Sequence, residues 1–320
     1  MTSKDQSETT INNTIGVDIS KDKFDAHRLP DSASKQFANS KTGHRAFIKW
    51  AGPAVERIVF EPTGPYHRAF EGACAKAGLP LCKVNPKQAR RFAQALGTHA
   101  KTDAVDARLL ARMGTALPIK SRPVADEKLL QLRELRIAHQ ALIKERTRIK
   151  NRRQTFTVPL LKRQHDQRLK TVDRDIKAVL VAIIDLIQTD ETMAKRFAIL
   201  TSIPGVGEIT AACLIIDMPE LGKLDPGQAA SLAGLAPMTR QSGQWRGKAR
   251  IGGGRKHLRD ALFMPAMVAM RFNDDLKAVY QRLTKAGKPP KLAITAVMRK
   301  LLILANALIK QDRNWTKKPA

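Results

Sequence analysis

The chain has 320 residues, with 57 Lys and Arg against 29 Asp and Glu, a formal net charge of +28 and a pI near 10.5. That length holds two domains with cores of their own, and the charge favours a polyanion, because each neutralised phosphate releases condensed counterions. Three cysteines (Cys74, Cys82, Cys213) without paired spacing or an even count exclude a disulfide framework and a cysteine zinc site. Residues 1–13 are polar and expected to be disordered, with no signal peptide. The longest apolar run near the C-terminus, 292–309, is interrupted by Arg299-Lys300 and reads as a packed amphipathic helix, not a membrane span. The expectation is a soluble, intracellular protein.

The first third alternates strand and helix signals. Residues 14–20 and 24–29 read as a hairpin around Ser-Lys-Asp-Lys, 35–38 as a third strand and 57–60 as a fourth. A helix over 65–77, a strand over 81–84 and a helix over 86–96 with proline in its first turn follow. Residues 102–113 read as a helix N-capped by Thr102, and the spacing of Asp103 and Asp106 puts both on one face of its first turn. Pro118 and Pro123 mark a linker.

Long helices come next. Leu135, Leu142 and Ile149 recur every seven residues, and Leu169, Val172, Ile176, Val179, Ile183 and Leu186 alternate three- and four-residue steps. Two antiparallel helices around Thr157-Val158-Pro159 would form a coiled-coil-like arm rich in Lys and Arg, Arg152 and Arg153 among them. A solvated charged face and a nucleic-acid or dimer contact both remain open for it. From Ala194 a third region begins. Ser202-Ile203-Pro204-Gly205-Val206-Gly207 resembles a helix-hairpin-helix turn, where glycines admit a phosphate to backbone N–H groups, although a tight interhelical turn has the same sequence. A small-residue helix is expected over 229–236. Residues 239–259 then carry seven Lys and Arg and no acid.

Four acids stand out in this basic chain. Asp18 lies in Gly16-Val17-Asp18-Ile19-Ser20, Glu61 closes the fourth strand, and Asp103 and Asp106 open a helix. Carboxylates converging from dispersed elements suit Mg²⁺ or Mn²⁺, which take oxygen ligands, and two such ions can clamp the attacking and leaving oxygens of a phosphodiester. This is the order in which RNase H-like folds arrange metal ligands. Ser242 is the second candidate, in Thr239-Arg240-Gln241-Ser242-Gly243-Gln244-Trp245-Arg246-Gly247. A serine hydroxyl needs activation to attack, and the nearest histidine in this segment, His257, is 15 residues on. Spacing alone therefore reads Ser242 as a phosphate-binding or turn serine ahead of a nucleophile.

The segments GVDIS, FEPTG, VNP, KTDAVDARLLA, SIPGVGE, LAGLAP, QSG…RG and HLRDALFMPAMVA, in order from Ile15 to Ile309, resemble the insertion-sequence transposases related to the Piv DNA invertase. These are DEDD-type recombinases, some of them guided by a bridge RNA. The resemblance implies a RuvC-like (RNase H-like) α/β domain over 14–120, a helical coiled-coil arm over 121–193, a helical transposase domain over 194–312 and a basic tail over 313–320. It implies that Asp18, Glu61, Asp103 and Asp106 bind metal, and that Ser242 is the nucleophile, which overturns the reading from spacing. It also implies donor and target double-stranded DNA, a noncoding guide RNA, a dimer or dimer of dimers, no membrane, and a nucleoid-associated place in the bacterial cytoplasm. Arg152, Arg153, Arg240, Arg246, Lys248 and Arg250 are the expected nucleic-acid contacts. Ile251-Gly252-Gly253-Gly254-Arg255-Lys256 has the look of a phosphate nest and is left without a role. Three other readings compete: a RuvC-type nuclease using water, a non-catalytic nucleic-acid-binding protein, and a sugar kinase or actin-like ATPase, which lacks its phosphate loops here.

Overall fold

The computed structural model describes residues 13–62, 64–97, 103–121, 126–239, 241–242, 245–247 and 249–317. The side chains of 103–105, 241, 245 and 246 are outside that description, as are Thr102, Arg240, Lys248, Pro123 and residues 1–12, on which expectations above rest. The chain divides into two compact units, Met1–Ala125 and Asp126–Ala320.

The first unit is a five-stranded sheet covered by helices. β1 (Thr14–Ile19), β2 (Lys23–Leu29) and β3 (Ala33–Ala38) form an antiparallel meander, and β4 (Arg57–Phe60) and β5 (Leu81–Lys83) add in parallel, giving the order β3-β2-β1-β4-β5. Helices α1 (Lys41–Ala51) and α2 (His67–Lys76) lie between strands, and α3 (Pro86–Ala95) and α4 (Asp103–Ala116) follow β5. Side chains alternate across a strand. Ile15, Val17 and Ile19 of β1 and Ile58 and Phe60 of β4 pack in a core with Phe24, Phe37, Phe47 and Phe70. Ring centroids there stand 5.0 Å apart for Phe24–Phe70 and 5.1 Å for Phe47–Phe70. Gly16, Asp18 and Val59 take the opposite face, where Val59 joins Cys82, Val84, Leu110 and Met113.

Helix α1 has no counterpart in the expected elements. Ser40 caps it, its hydroxyl accepting from the Gly43 amide at 3.2 Å, and buried His44, Phe47 and Ala51 form its inner stripe. Edge-on contacts of Phe47 with Phe24 and Phe37 hold this helix to the sheet.

The second unit begins with α5 (Glu127–Thr155) and α6 (Pro159–Gln188), which run antiparallel. Arg146 reaches Asp173, and Arg153 grips Asp166 close to the connecting turn. The buried seam positions are Leu132 and His139 on α5 and His165, Val172, Ile176, Ile183 and Ile187 on α6. The heptad seen in the sequence is therefore only half of the seam: Leu135, Leu142 and Ile149 are half-buried flanks, and the fully buried α6 terminus is Ile187, not Leu186.

Beyond the hairpin come α7 (Glu191–Thr201), α8 (Glu208–Asp217), α9 (Pro226–Leu232), α10 (Lys256–Phe272), α11 (Asp274–Lys285) and α12 (Pro290–Lys310). Helix α9 starts and ends earlier than expected, because Asp225 and Gln228 form a capping box and Gly234 turns the chain at φ 68°. Among the described residues α12 alone is long and apolar enough to cross a membrane. Here Val297, Leu301, Leu302, Ala305 and Leu308 are buried against α7, α9, α10 and α11, the role of a core helix.

Between α7 and α8 the chain makes the expected interhelical turn. Gly205 adopts φ 96°, and a Cβ there would stand 2.7 Å from the Pro265 carbonyl oxygen and 2.8 Å from the Ala269 amide nitrogen. Close packing of this turn onto α10 accounts for the glycine at 205. Gly254 is explained the same way: a Cβ on it would meet the carbonyl oxygens of Leu232 at 2.6 Å and Ser231 at 2.7 Å. The Arg255 amide donates to the Leu232 carbonyl at 2.8 Å. The glycine run thus closes onto the end of α9.

Candidate active site

Helix α4 crosses β1 in backbone contact. A Cβ on Gly16 would collide with the Ala107 carbonyl oxygen and the Ala111 amide nitrogen, and one on Gly114 would stand 2.5 Å from Val59 Cγ2 and 2.8 Å from Thr14 Cγ2. The late part of α4 therefore covers the beginnings of β1 and β4, and α4 runs against the direction of both strands. Its first turn points back toward the strand ends, where the acids lie. Asp18 shares the face of Gly16, and Glu61 carries the alternation of β4 one residue past Phe60, which pairs with Val17. Asp18, Glu61 and Asp106 are half-buried, and each is engaged by a partner. Asp103 opens α4, with its side chain outside the described residues.

These elements deliver carboxylates to one end of the sheet. Among the described residues no three His, Cys, Asp or Glu side chains close into a metal-binding group. As a donor set, oxygen-only ligands on separate elements fit a hard divalent cation and would not suit a soft one.

One acid was missed in the sequence. Asp25 of β2 is the antiparallel partner of Asp18, so both side chains leave the same face. Gln36 of β3 donates to Asp25 at 2.9 Å. Next along this face, His27 is buried with Nδ1 2.8 Å from Ser34 Oγ. Burial, then Arg108 and Arg112 of α4, hold its pKa below the ordinary value. The strand register was the signal: a hairpin around 20–23 already pairs residue 18 with residue 25.

Ser242 belongs to the second unit. β6 (Pro237–Met238) pairs antiparallel with β9 (Arg250–Ile251), and within that ribbon β7 (Gln241–Ser242) pairs with β8 (Trp245–Arg246), Ser242 opposite Trp245. Ser242 and Arg250 are exposed. The exposed Arg152 lies near the arm's turn, whereas the Arg153 guanidinium is bound to Asp166, its Nη2 donating at 2.9 Å.

A charged cluster anchors the start of α10 and was also missed, since it joins three distant segments. Arg136 Nε of α5 sits 2.5 Å from Asp217 Oδ2, Cys213 Sγ donates to the same oxygen at 3.2 Å, and His257 Nε2 lies 3.5 Å from Oδ1. Arg255 clasps Glu220 through two bonds of 2.9 and 2.7 Å and donates to the Asp217 carbonyl at 2.5 Å. Burial pushes the Cys213 thiol up to about 12, Asp217 adding to the effect, so this cysteine is an inert packing group.

The IS110-type DEDD "Transposase" signature matches residues 15–157, and that described as "Transposase IS116/IS110/IS902 family" matches residues 197–281. The "Pilin gene-inverting protein" of Moraxella bovis is 32% identical over 320 residues, covering 95% of this chain and 98% of that one. The chain belongs to the IS116/IS110/IS902 transposase family. The pilin gene-inverting protein of Moraxella lacunata matches to the same extent. An uncharacterized 43.6 kDa protein of insertion element IS110 from Streptomyces coelicolor is 34% identical over 115 residues, 35% of this chain and 28% of that protein. In this transposase, the first matched segment contains all four acids and the second contains Ser242.

Proposed function

We propose that this family member is the recombinase of an insertion element, cutting and rejoining DNA through an ester between Ser242 and a backbone phosphate. The observation that carries the reading is the antiparallel crossing of α4 over β1 at Gly16, which turns the α4 first turn toward Asp18 and Glu61. Asp18, Glu61, Asp103 and Asp106 would hold Mg²⁺ or Mn²⁺. Such an ion, when bound, lowers the pKa of a coordinated hydroxyl and offsets charge on the phosphate. The Ser242 oxygen forms a bond to phosphorus as one bond from phosphorus to a deoxyribose oxygen breaks. The serine proton ends on the departing oxygen by way of solvent. The ester keeps the phosphate a diester, so the reverse step on a new strand end reseals DNA without ATP.

In this reading residues 14–120 are a RuvC-like catalytic domain, 121–193 an arm and 194–312 the domain that carries the serine. A noncoding guide RNA pairs with donor and target DNA, leaving the protein to read backbone shape and charge. Arg152, Arg153, Arg240, Arg246, Lys248 and Arg250 contact that backbone, and the unit of assembly is a dimer or a dimer of dimers working on the bacterial nucleoid. A hydrolytic nuclease with the same acids is the second reading, favoured by the position of Ser242 in the other compact unit. Strand-transfer assays separate them. Recombination requires wild-type Ser242 together with Asp18, whereas a hydrolase cuts at full rate as Ser242→Ala.

A further inference from the structure

The first unit holds a second feature, apart from the acids. A cleft of about 600 Å³ opens between α3, the late part of α4 and residues 117–120. Its floor is apolar: Val84 and Met113 are buried, and Phe92 and Ile119 pack half-buried against the same cluster. Its rim is cationic. Lys83, Arg91 and Lys120 line it, and among the described residues no carboxylate does. Lys83 is held by Glu71 at 2.7 Å, whereas Arg91 and Lys120 form no ion pair among the described residues. Lys87 and Arg90 extend the exposed charge of α3 beside Arg91.

The occupant must satisfy both surfaces. An anion alone would leave the apolar floor wet, and an apolar body alone would ignore the cations. A nucleotide has a flat base for the floor and a phosphate for the rim, and the volume falls within the roughly 300–1,000 Å³ of small-ligand sites. A base stacked in a duplex cannot enter such a cleft, so its source is a single-stranded stretch, whose bases are free to lodge against an aromatic wall. We propose that this cleft holds an unstacked nucleotide of single-stranded nucleic acid, with its base on Val84, Met113 and Phe92 and its phosphates on Arg91 and Lys120. The proposal rests on the chain being a nucleic-acid-processing enzyme, and not on the chemistry of Ser242.

The test is fluorescence anisotropy on the full chain in EDTA, with short single-stranded RNA, single-stranded DNA and duplex DNA of one sequence, across a salt series. Arg91→Gln with Lys120→Gln is expected to reduce the log–log salt slope on the single strand by about 1.4, at roughly 0.7 per phosphate contact. Leu117→Trp fills the cleft mouth from a position 39% exposed, and its urea midpoint checks that it folds. It is expected to weaken a base-bearing strand by about 5-fold or more, the effect of losing one stacked base, while an abasic strand binds as before. A loss confined to RNA or to DNA identifies the polymer that supplies the nucleotide. Equal binding of abasic and base-bearing strands overturns the proposal, as does wild-type affinity in folded Leu117→Trp or an equal loss on duplex DNA. Saturable AMP binding with strand binding intact in both variants assigns the cleft to a free nucleotide and overturns it as well. Every arm is free of cleavage, so failure of the serine mechanism leaves these outcomes unchanged.

Discussion

Gly16 of β1 lies in backbone contact with Ala107 of α4, so the Ala107 carbonyl occupies the place of a missing side chain. This close approach sets how near the first turn of α4 comes to the end of β1. Gly16→Ala is expected to destabilise the protein by about 1–3 kcal/mol, as overpacking does, and to abolish strand transfer by lifting α4 away from Asp18. Gly72, inside α2, has nothing within 4 Å of its would-be Cβ. Gly72→Ala should therefore stabilise by about 0.5–1 kcal/mol with activity unchanged. Urea midpoints and strand-transfer rates for the pair check this. A fully active Gly16→Ala would detach α4 packing from the site.

Asp18→Asn and Asp106→Asn keep side-chain shape and remove the charge that would hold a divalent cation. Each is expected to abolish recombination and to weaken Mn²⁺ binding, read by water-proton relaxation, with the urea midpoint near that of wild type. Undiminished activity in excess EDTA, or in both variants, contradicts metal dependence.

On the arm, the two neighbouring arginines should behave differently. Arg152 is exposed near the turn, and Arg153 is bound to Asp166. Arg152→Ala should lower the log–log salt slope by about 0.9 on duplex DNA or about 0.7 on a single strand, and Arg153→Ala by less. An unchanged slope for Arg152→Ala makes the arm a solvated face.

His139 is buried in the α5–α6 seam, and its Nε2 has no hydrogen-bond partner among the described residues. Burial, then Arg136 and Arg146, hold its pKa below the ordinary value near 6.5. The unfolded chain takes up a proton that the folded chain refuses, so stability is full above about pH 6.5 and is lost as pH falls below it. His27, His44, His67 and His257 shift in the same direction and act in the same window. His139→Leu should raise stability by about 1–2 kcal/mol near pH 8 by removing an unsatisfied polar group, and by more near pH 5. Urea titrations at the two pH values check the sign, and an equal gain at both removes His139 from the acid response.

Much of the first unit was legible in the sequence because β1, β4 and β5 are short alternating runs bounded by turn residues. Asp18 and Glu61 could be placed at strand ends for that reason. Helix α1 was not placed, although Ser40 is a capping residue and His44, Phe47 and Ala51 recur at helical spacing. The seam of the arm was half visible: the positions at His139, Arg146 and Arg153 are polar, and apolar periodicity passes over them. Asp25 needed strand register, and the Asp217–Arg136–His257 cluster needed the packing of α5, α8 and α10. At Gly205 the sequence left two readings open. Its motif fitted a phosphate turn or a tight interhelical turn, and only the fold shows the approach of the α10 backbone that requires a glycine there.

In the proposed reaction Ser242 becomes joined to DNA. Wild-type protein incubated with Mg²⁺, guide RNA and nicked DNA should yield a protein–DNA adduct that survives denaturation, with the phosphate mapped by peptide mass spectrometry to Ser242 and no adduct from Ser242→Ala. An adduct on another residue, or cleavage by Ser242→Ala at the wild-type rate, would make another side chain or water the nucleophile.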